Sequence, residues 1–192
     1  MIAIVDYGGG NVKSLQFALQ RLGSESVLTN DSQIIKKSDK VIFPGQGAAG
    51  VAMKKLRQNG LDKLIPKLKQ PVLGICLGMQ LFCDSTEEDQ VKGLGIISGK
   101  VIRFSKKVKV PQMGWNSILD LETPLFNNIK EGEFMYLVHS YYVPLLSETI
   151  AQSKYNGLYS VAVRKNNFYG VQFHPEKSSN SGSQLLKNFL AL

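Results

Sequence analysis

The stretch Pro71-Val72-Leu73-Gly74-Ile75-Cys76-Leu77-Gly78 passes from an apolar run into a segment with helical character. Residues 71–75 predict a buried strand, because they form a short apolar run bounded by turn-forming residues. Residues 77–82 predict the beginning of a helix. The same alternation of β-rich and helical runs extends from this stretch in both directions, and it indicates an α/β layer architecture.

Short apolar runs and helical spacings place the other elements. Further strands are predicted at residues 2–5, 26–28, 40–43, 101–104, 136–143, 160–163 and 169–173. Helices are predicted at residues 12–22, from 51 toward 68, and at 184–190. The acidic stretch 84–90 predicts a solvated loop. No repeat or linker interrupts the pattern, so we expect one domain over residues 1–192.

The composition is that of an ordinary globular protein, with 43% hydrophobic and 20% charged residues. The net charge of +8 raises the alternative of nucleic-acid binding. The basic residues, however, are spread as singles and pairs, and only Lys106, Lys107 and Lys109 form a short cluster. No aromatic-interleaved basic stripe accompanies them. We therefore expect no nucleic acid, and an acidic protein partner or an anionic metabolite fits the charge better.

The sequence predicts a cytoplasmic protein that does not enter a membrane. Residues 1–5 lack the basic region of a signal peptide. The longest apolar stretch, residues 72–82, falls short of the ~20 residues that a membrane span needs. On one helix, Cys76 and Cys83 would stand about 10 Å apart, beyond the reach of a disulfide. Two unpaired thiols are typical of a reducing compartment.

Cys76 is the centre of Gly74-Ile75-Cys76-Leu77-Gly78, which has the form of a nucleophile elbow with sulfur in place of a hydroxyl. A sharp strand-to-helix turn holds such a nucleophile in strained backbone geometry, and small residues beside it allow close packing. The helix start favours the reactive thiolate. The N–H of Leu77 would face a developing oxyanion. The alternative is a buried, unreactive cysteine in a glycine-rich turn.

His174 and Glu176 follow the last predicted strand in the segment Gln172-Phe173-His174-Pro175-Glu176. Proline favours an extended conformation at the residue before it, so the two side chains would point the same way. The carboxylate could then orient one imidazole nitrogen while the other faces a thiol. Sites in α/β proteins gather at the carboxyl ends of core strands, where both motifs are predicted to lie. Cys76, His174 and Glu176 are therefore the predicted catalytic residues.

Glycine-rich turns and the second histidine supply the remaining candidates. The turn Phe43-Pro44-Gly45-Gln46-Gly47 follows a strand, and we assign the second oxyanion donor to its backbone at Gln46 and Gly47. A plain strand-to-helix turn is the alternative. Residues 8–10 complete no phosphate-binding motif and predict a tight turn near the site. His139, on an aromatic strand, is placed at the substrate pocket. No Cys/His cluster has metal-ligand spacing, so we expect no metal.

The segments Gly74-Ile75-Cys76-Leu77-Gly78-Met79-Gln80 and Gln172-Phe173-His174-Pro175-Glu176 together resemble the triad-type (class I) glutamine amidotransferases. Within them, the chain is similar to the glutaminase subunits of the imidazole glycerol phosphate synthases of histidine biosynthesis. Met113-Gly114-Trp115-Asn116 and His139-Ser140-Tyr141-Tyr142 are the more discriminating segments. The resemblance covers essentially the whole chain. It implies a three-layer, flavodoxin-like sandwich with a mixed, mainly parallel central sheet between helices.

The resemblance implies further roles. Cys76 would be the nucleophile, His174 the acid and base, and Glu176 its orienting carboxylate. The amino-acid end of glutamine would be held by Gln80, Glu88, Ser140 and Tyr141. The residues toward a partner protein would be Asn11, Trp115 and Lys177. Three positions depart from the family pattern, and they bear on the partner interface rather than on the chemistry: Gly9, Gln46 and Gln112.

The implied reaction is hydrolysis of the side-chain amide of L-glutamine through a cysteinyl thioester, without a cofactor. Free ammonia is of little use beside a wet surface, and 192 residues leave no room for a synthase domain. We therefore expect a heterodimer with a (βα)₈-barrel cyclase subunit that accepts the ammonia. One alternative is the same chemistry serving another acceptor, such as a sugar-modifying amidotransferase. The other is a catalytically silent binding subunit.

Overall fold

The computed structural model describes residues 1–8 and 12–192. The helices are α1 (Val12–Arg21), α2 (Ser32–Lys37), α3 (Ala49–Gln58), α4 (Leu61–Leu64), α5 (Leu77–Gln80) and α6 (Ser179–Ala191). The strands that begin before residue 100 are β1 (Ile2–Val5), β2 (Ser26–Thr29), β3 (Lys40–Phe43), β4 (Val72–Ile75), β5 (Cys83–Thr86), β6 (Val91–Lys92) and β7 (Ile97–Arg103). The later strands are β8 (Gln112–Ser117), β9 (Phe134–His139), β10 (Tyr141–Tyr142), β11 (Thr149–Lys154), β12 (Leu158–Lys165) and β13 (Phe168–Val171).

The largest sheet in the described residues has seven strands in the order β11-β12-β13-β4-β3-β1-β2. The strands from β13 to β2 pair in parallel, and β12 and β11 extend the sheet in antiparallel fashion. β4, which ends at Ile75, lies in the middle of the sheet. The prediction of a mixed, mainly parallel central sheet is confirmed.

Helices cover both faces of this sheet. Ile2 and Ile4 of β1 pack into one core with α1 and α6, whereas Ala3 and Val5 pack into a second core with α2 and α3. Successive residues of a strand point to opposite faces, so a strand covered on both sides is apolar throughout. The chain therefore forms the three-layer sandwich that was predicted.

The segment after α5 is structured, so the predicted solvated loop at residues 84–90 is wrong. β5 pairs with β7 in a second sheet of order β10-β7-β5-β6, and Glu88–Gln90 form a 3₁₀ turn. The helix predicted at residues 77–82 is shorter, because the chain leaves α5 after about one turn to enter β5. Cys83 therefore stands on a strand rather than on the helix that follows Cys76, and both thiols are free.

Two carboxylates of this acidic segment bind the beginning of α3. Ala48 provides no side-chain cap for that helix. Instead the carboxylate of Glu88 accepts a hydrogen bond from the Ala49 N–H at 3.2 Å, and that of Asp89 accepts one from the Gly50 N–H at 2.9 Å. The first N–H groups of a helix have no partner within it, so these contacts explain why an acidic stretch folds back on the protein.

Two predicted elements are divided in the structure. The helix expected from residue 51 toward 68 is interrupted at Gly60, whose φ of 68° suits glycine, and this yields α3 and α4. The strand expected at residues 136–143 is divided at Ser140 into β9, which pairs with β8, and β10, which pairs with β7. Elements with no predicted counterpart include α2, β8 and β11.

None of the helices in the described part of the chain has the length and apolar character needed to cross a membrane.

Candidate active site

Cys76 lies at the junction between β4 and α5, at the carboxyl end of the central strand. Its φ of 53° and ψ of −111° belong to a region that residues with a side chain rarely adopt. Neighbouring glycines permit the close packing. A Cβ on Gly78 would lie 2.1 Å from the carbonyl oxygen of Phe43, and one on Gly74 would lie 2.6 Å from the ring of Phe82. The turn thus has the strained, closely packed form that the motif predicts.

The side chain of Cys76 borders a cavity of about 330 Å³. Within the protein, its sulfur accepts a hydrogen bond from Gln172 Nε2 at 3.5 Å and lies 3.8 Å from the carbonyl oxygen of Val138. Only 8% of the residue is exposed. The sulfur can therefore be reached from the cavity, while protein groups surround it on the other sides.

His174 and Glu176 form a buried pair beside Cys76. The ring Nδ1 of His174 lies 2.9 Å from Glu176 Oε1, and both side chains are almost fully buried. Within the described residues, His174 Nε2 has no hydrogen-bond partner, so it is the nitrogen left for Cys76. The structure brings the three predicted catalytic residues together.

The local backbone that makes this pair differs from the expectation. Glu176 lies in a 3₁₀ turn, Pro175–Lys177, and not on an extended segment. His174 itself is extended, with φ −100° and ψ 97°, as a residue before proline should be. The turn after it brings the carboxylate back to the ring. Ser178 supports this arrangement, because its hydroxyl donates to the His174 carbonyl at 2.7 Å.

The charge of the His174 ring depends on its two neighbours. Burial opposes the imidazolium, but Cys76 and Glu176 favour it more strongly, and together these effects raise the pKa of His174 to about 10. At neutral pH the ring is therefore protonated. A protonated imidazole beside a thiol stabilises the thiolate and holds a proton ready for a leaving group.

Glu176→Gln is expected to move the pH dependence of catalysis. The variant keeps an oxygen acceptor but loses the negative charge that stabilises the imidazolium, so the pKa of His174 falls from about 10. The alkaline limb of the kcat/KM profile should move to lower pH, which steady-state rates measured across the alkaline range will reveal. Glu122→Gln on the exposed surface is the matched control. An unmoved alkaline limb in Glu176→Gln would contradict the assigned pairing.

The residues predicted to donate to an oxyanion all border the cavity. They are Leu77, Gln46 and Gly47. Gly45 lies against the elbow so closely that a Cβ there would be 2.2 Å from the backbone nitrogen of Gly78. The N–H of Gln46, however, donates to the Tyr7 hydroxyl at 3.3 Å, and that hydroxyl donates to the Pro44 carbonyl at 2.9 Å. To donate into the cavity, the Gln46 amide would have to leave Tyr7.

The residues expected to hold glutamine line the same cavity as Cys76. They are Gln80, Glu88, His139, Ser140 and Tyr141. Glu88 is half-buried, and its desolvation raises the pKa of its carboxyl group. Gln80 is nearly buried, and its Nε2 donates to the Tyr141 carbonyl at 2.8 Å. The cavity is therefore lined by a carboxylate and a primary amide, two groups whose oxygens can accept hydrogen bonds from an ammonium group.

His139 contributes a neutral ring to the cavity wall. Its Nδ1 lies 2.8 Å from the Tyr141 carbonyl oxygen, and its ring packs against Phe104 and Tyr159. Burial lowers the pKa of His139 to about 4. The residue thus lies at the pocket, as expected, and is uncharged at neutral pH.

Among residues 1–8 and 12–192, no three His, Cys, Asp or Glu side chains are grouped as a metal would need.

Two of the three residues expected to face a partner can be placed. Trp115 is 52% exposed on the two-stranded sheet of β8 and β9, and its ring contacts Tyr136 across the strands. Lys177 is exposed next to the buried His174–Glu176 pair. Asn11 lies outside the described residues, as does Gly9. Met113 and Phe134, which are also exposed, lie on the same two-stranded sheet.

Sequence reasoning missed three residues that contact this site. Gln172 was quoted only as part of the segment that ends in His-Pro-Glu, and Ser178 and Tyr7 were given no role. Gln172 is fully buried although it is polar, and Ser178 links His174 to β9 through the Tyr136 N–H at 2.9 Å. A polar residue that directly continues a buried strand is the one sequence signal that could have found Gln172.

Residues 3–192 match the family model described as "Glutamine amidotransferase class-I". This chain belongs to that family. Proteins described as "Imidazole glycerol phosphate synthase subunit HisH" are similar to the amidotransferase over its full length. The one from Bacteroides fragilis strain YCH46 is 49% identical, and the one from Bacteroides thetaiotaomicron is 50% identical; each match covers 100% of this chain and 99% of the relative. The one from Buchnera aphidicola is 46% identical with the same coverage.

Solved structures confirm the amidotransferase fold. A crystal structure described as a putative GMP synthase protein, from Thermoplasma acidophilum, superposes with a TM-score of 0.77 at 21% identity, covering 99% of this chain and 92% of that one. A crystal structure described as a glutamine amidotransferase gives a TM-score of 0.77 at 20% identity, covering 100% and 98%. At these identities the likeness bears on the fold alone.

Proposed function

We propose that this amidotransferase hydrolyses the side-chain amide of L-glutamine at Cys76 and supplies the ammonia for imidazole glycerol phosphate synthesis in histidine biosynthesis. The observation that carries the proposal is the buried His174–Glu176 pair, with an Nδ1···Oε1 distance of 2.9 Å, beside a cysteine at φ 53° that opens onto a cavity. Full-length identity of 46–50% to HisH subunits supports the pathway over a sugar-modifying acceptor.

The reaction begins with attack of the Cys76 sulfur on the amide carbon of glutamine. A carbon–sulfur bond forms, and the carbonyl π electrons move to the oxygen. Leu77 follows Cys76, begins α5 and lines the cavity, and we assign its N–H as the donor to this oxyanion. When the oxyanion collapses, the carbon–nitrogen bond breaks and the imidazolium of His174 delivers its proton to the leaving nitrogen, which departs as ammonia.

The second half of the reaction releases glutamate. Water attacks the thioester carbon while His174, now neutral, takes a proton from it. The carbon–sulfur bond then breaks, which yields glutamate and returns the thiolate beside a protonated ring. Glu176 stabilises the imidazolium in both halves and keeps the ring in one orientation through Nδ1.

The cavity suits a small amino acid. Its volume of about 330 Å³ is at the small end of the range for ligand pockets. We assign the glutamine ammonium group to Glu88 and Gln80, which both line the cavity. Ser140 and Tyr141 stand where the chain passes from β9 to β10, and we assign them to the same end of the substrate.

We assign the role of ammonia acceptor to a separate (βα)₈-barrel cyclase, bound as a heterodimer. The relatives' names describe one part of a synthase. The exposed apolar side chains of the β8–β9 sheet, among them Trp115, provide a surface for such a partner. Lys177 precedes Ser178, whose hydroxyl accepts from the Tyr136 N–H of β9.

Glutamate release from glutamine tests the proposal, with the chain alone and with a candidate cyclase plus its nucleotide ligand. We expect the cyclase complex to stimulate release, and Cys76→Ala to abolish it without preventing complex formation. If glutamate release did not change when the cyclase is added, the glutaminase assignment would stand and the ammonia would be assigned to another acceptor. No release from wild type under any condition would overturn the assignment of the triad, and complex formation without release would favour a silent binding subunit.

A further inference from the structure

Two buried glutamines form a hydrogen-bonded chain that ends on the sulfur of Cys76. Gln172 has no exposed surface, and Gln80 is 4% exposed. Gln80 Nε2 donates to Gln172 Oε1 at 2.9 Å, and Gln172 Nε2 donates to Cys76 Sγ at 3.5 Å. The other end of the chain is the carbonyl oxygen of Tyr141, which accepts from Gln80 Nε2 at 2.8 Å.

The carbonyl of Tyr141 determines which way both amides face. A carbonyl oxygen can only accept, so the nitrogen of Gln80 must point toward it. That same nitrogen then needs an acceptor at Gln172, which fixes the oxygen of Gln172 toward Gln80. The NH₂ group of Gln172 is consequently the part that faces the sulfur. A reversed Gln172 would set two donors against each other in a buried site, which is costly.

The sulfur needs such a donor because of its other neighbours. The carbonyl oxygen of Val138, 3.8 Å away, presents lone pairs that oppose a negative sulfur. His174 is the charged group that faces Cys76, and the buried Tyr7 contributes a neutral hydroxyl, since burial raises its pKa. Of the described side chains around the sulfur, Gln172 therefore supplies an amide donor that carries no charge and keeps its proton at every working pH.

We propose that Gln172 is a positioning residue for the nucleophile, whose amide stabilises the Cys76 thiolate and fixes the direction of its attack. Gln172 is absent from the residues that line the cavity, so it acts through Cys76 and not on the substrate. Hydrogen bonds to ionised acceptors are about twice as strong as those between neutral groups. The inference rests on the proposed function, because it concerns the nucleophile of that reaction.

The test is the pH dependence of Cys76 alkylation by iodoacetamide in Gln172→Met and Gln172→Leu. Both variants remove the amide and place an apolar side chain of similar volume in the same buried position. The midpoint of the alkylation profile should rise by about one pH unit, because the thiolate loses a donor. Burial raises the pKa of Cys83 to about 12, so that thiol stays protonated and does not react with iodoacetamide. Peptide mass spectrometry identifies the alkylated cysteine. We also expect kcat to fall about tenfold with little change in KM.

Gln112→Met is the matched control. Gln112 is also buried, and its side chain accepts from the Tyr159 hydroxyl at 3.1 Å. Its replacement should leave the alkylation midpoint where it is in wild type. A wild-type midpoint in both Gln172 variants would overturn the proposal, and so would an equal shift in Gln112→Met. Alkylation is measured without glutamine, so it does not depend on turnover. A wild type that releases no glutamate would refute the proposed function, and the alkylation midpoints would still test the role of Gln172.

Discussion

His174→Asn is expected to lower kcat for glutamine hydrolysis by about three to four orders of magnitude. The variant removes the proton that the leaving nitrogen needs and the cation that stabilises the thiolate. Asparagine also leaves Glu176 buried without its ring partner, which lies 2.9 Å away in wild type. Single-turnover and steady-state glutamate release in the complex measure the loss, and KM should change far less than kcat.

His139→Asn serves as the comparison, because His139 is the other histidine of the chain and lines the same cavity. Burial lowers the pKa of its ring to about 4, so it holds no proton to give at neutral pH. Its replacement should act mainly on KM. Equal losses of kcat in the two variants would show that the acid has been assigned to the wrong residue.

Gly78→Ala is expected to lower the free energy of unfolding by about 3 kcal/mol. The added methyl group would lie 2.1 Å from the carbonyl oxygen of Phe43, and a backbone atom cannot move aside as a flexible side chain can. Either the elbow or the end of β3 must shift. For a chain of this size, the loss corresponds to a fall in Tm of roughly 6–12 °C, which calorimetry or thermal circular dichroism will measure.

Gly99→Ala is the matched control for the elbow. A methyl group there would lie 3.0 Å from Leu146 Cδ1, the far end of a flexible side chain that can rotate away. We expect a change in Tm of only a few degrees. If Gly78→Ala were as stable as Gly99→Ala, the close approach of the elbow to β3 would be refuted.

Local patterns predicted the centre of the fold because each of its strands carries its own signal. Residues 2–5 and 72–75 are apolar on both faces, and the structure places both strands inside the parallel sheet with helices on either side. The Gly74–Gly78 motif predicted the turn at Cys76 for an equally local reason, since only small residues fit beside it.

The acidic segment could not be predicted in this way. Carboxylates at residues 84–90 are hydrophilic, and a charge run is usually solvated. Here Glu88 and Asp89 accept hydrogen bonds from a helix almost forty residues earlier in the chain. The start of α3 is too far away in the sequence to enter a prediction from neighbouring residues. It also binds the carboxylates through backbone N–H groups, which every residue except proline has, so no residue type marks the contact.

The details of the site depend on orientations that residue types do not encode. Gln46 was predicted as an oxyanion donor from the glycine-rich turn, yet its N–H is directed at Tyr7. That direction is a matter of backbone dihedral angles in one loop. The extended geometry predicted for Glu176 was wrong for a related reason, because Pro175 begins a 3₁₀ turn as readily as it extends the chain.

The place of β4 in the sheet has a consequence for how the protein loses activity. Three strands lie on either side of β4, and all its residues are buried. Local opening begins at fraying edges and exposed loops, whereas central strands exchange their amide hydrogens only when the whole domain opens. We therefore expect the backbone that carries Cys76 to belong to the slowest-exchanging unit of the molecule, and heat inactivation to coincide with global unfolding.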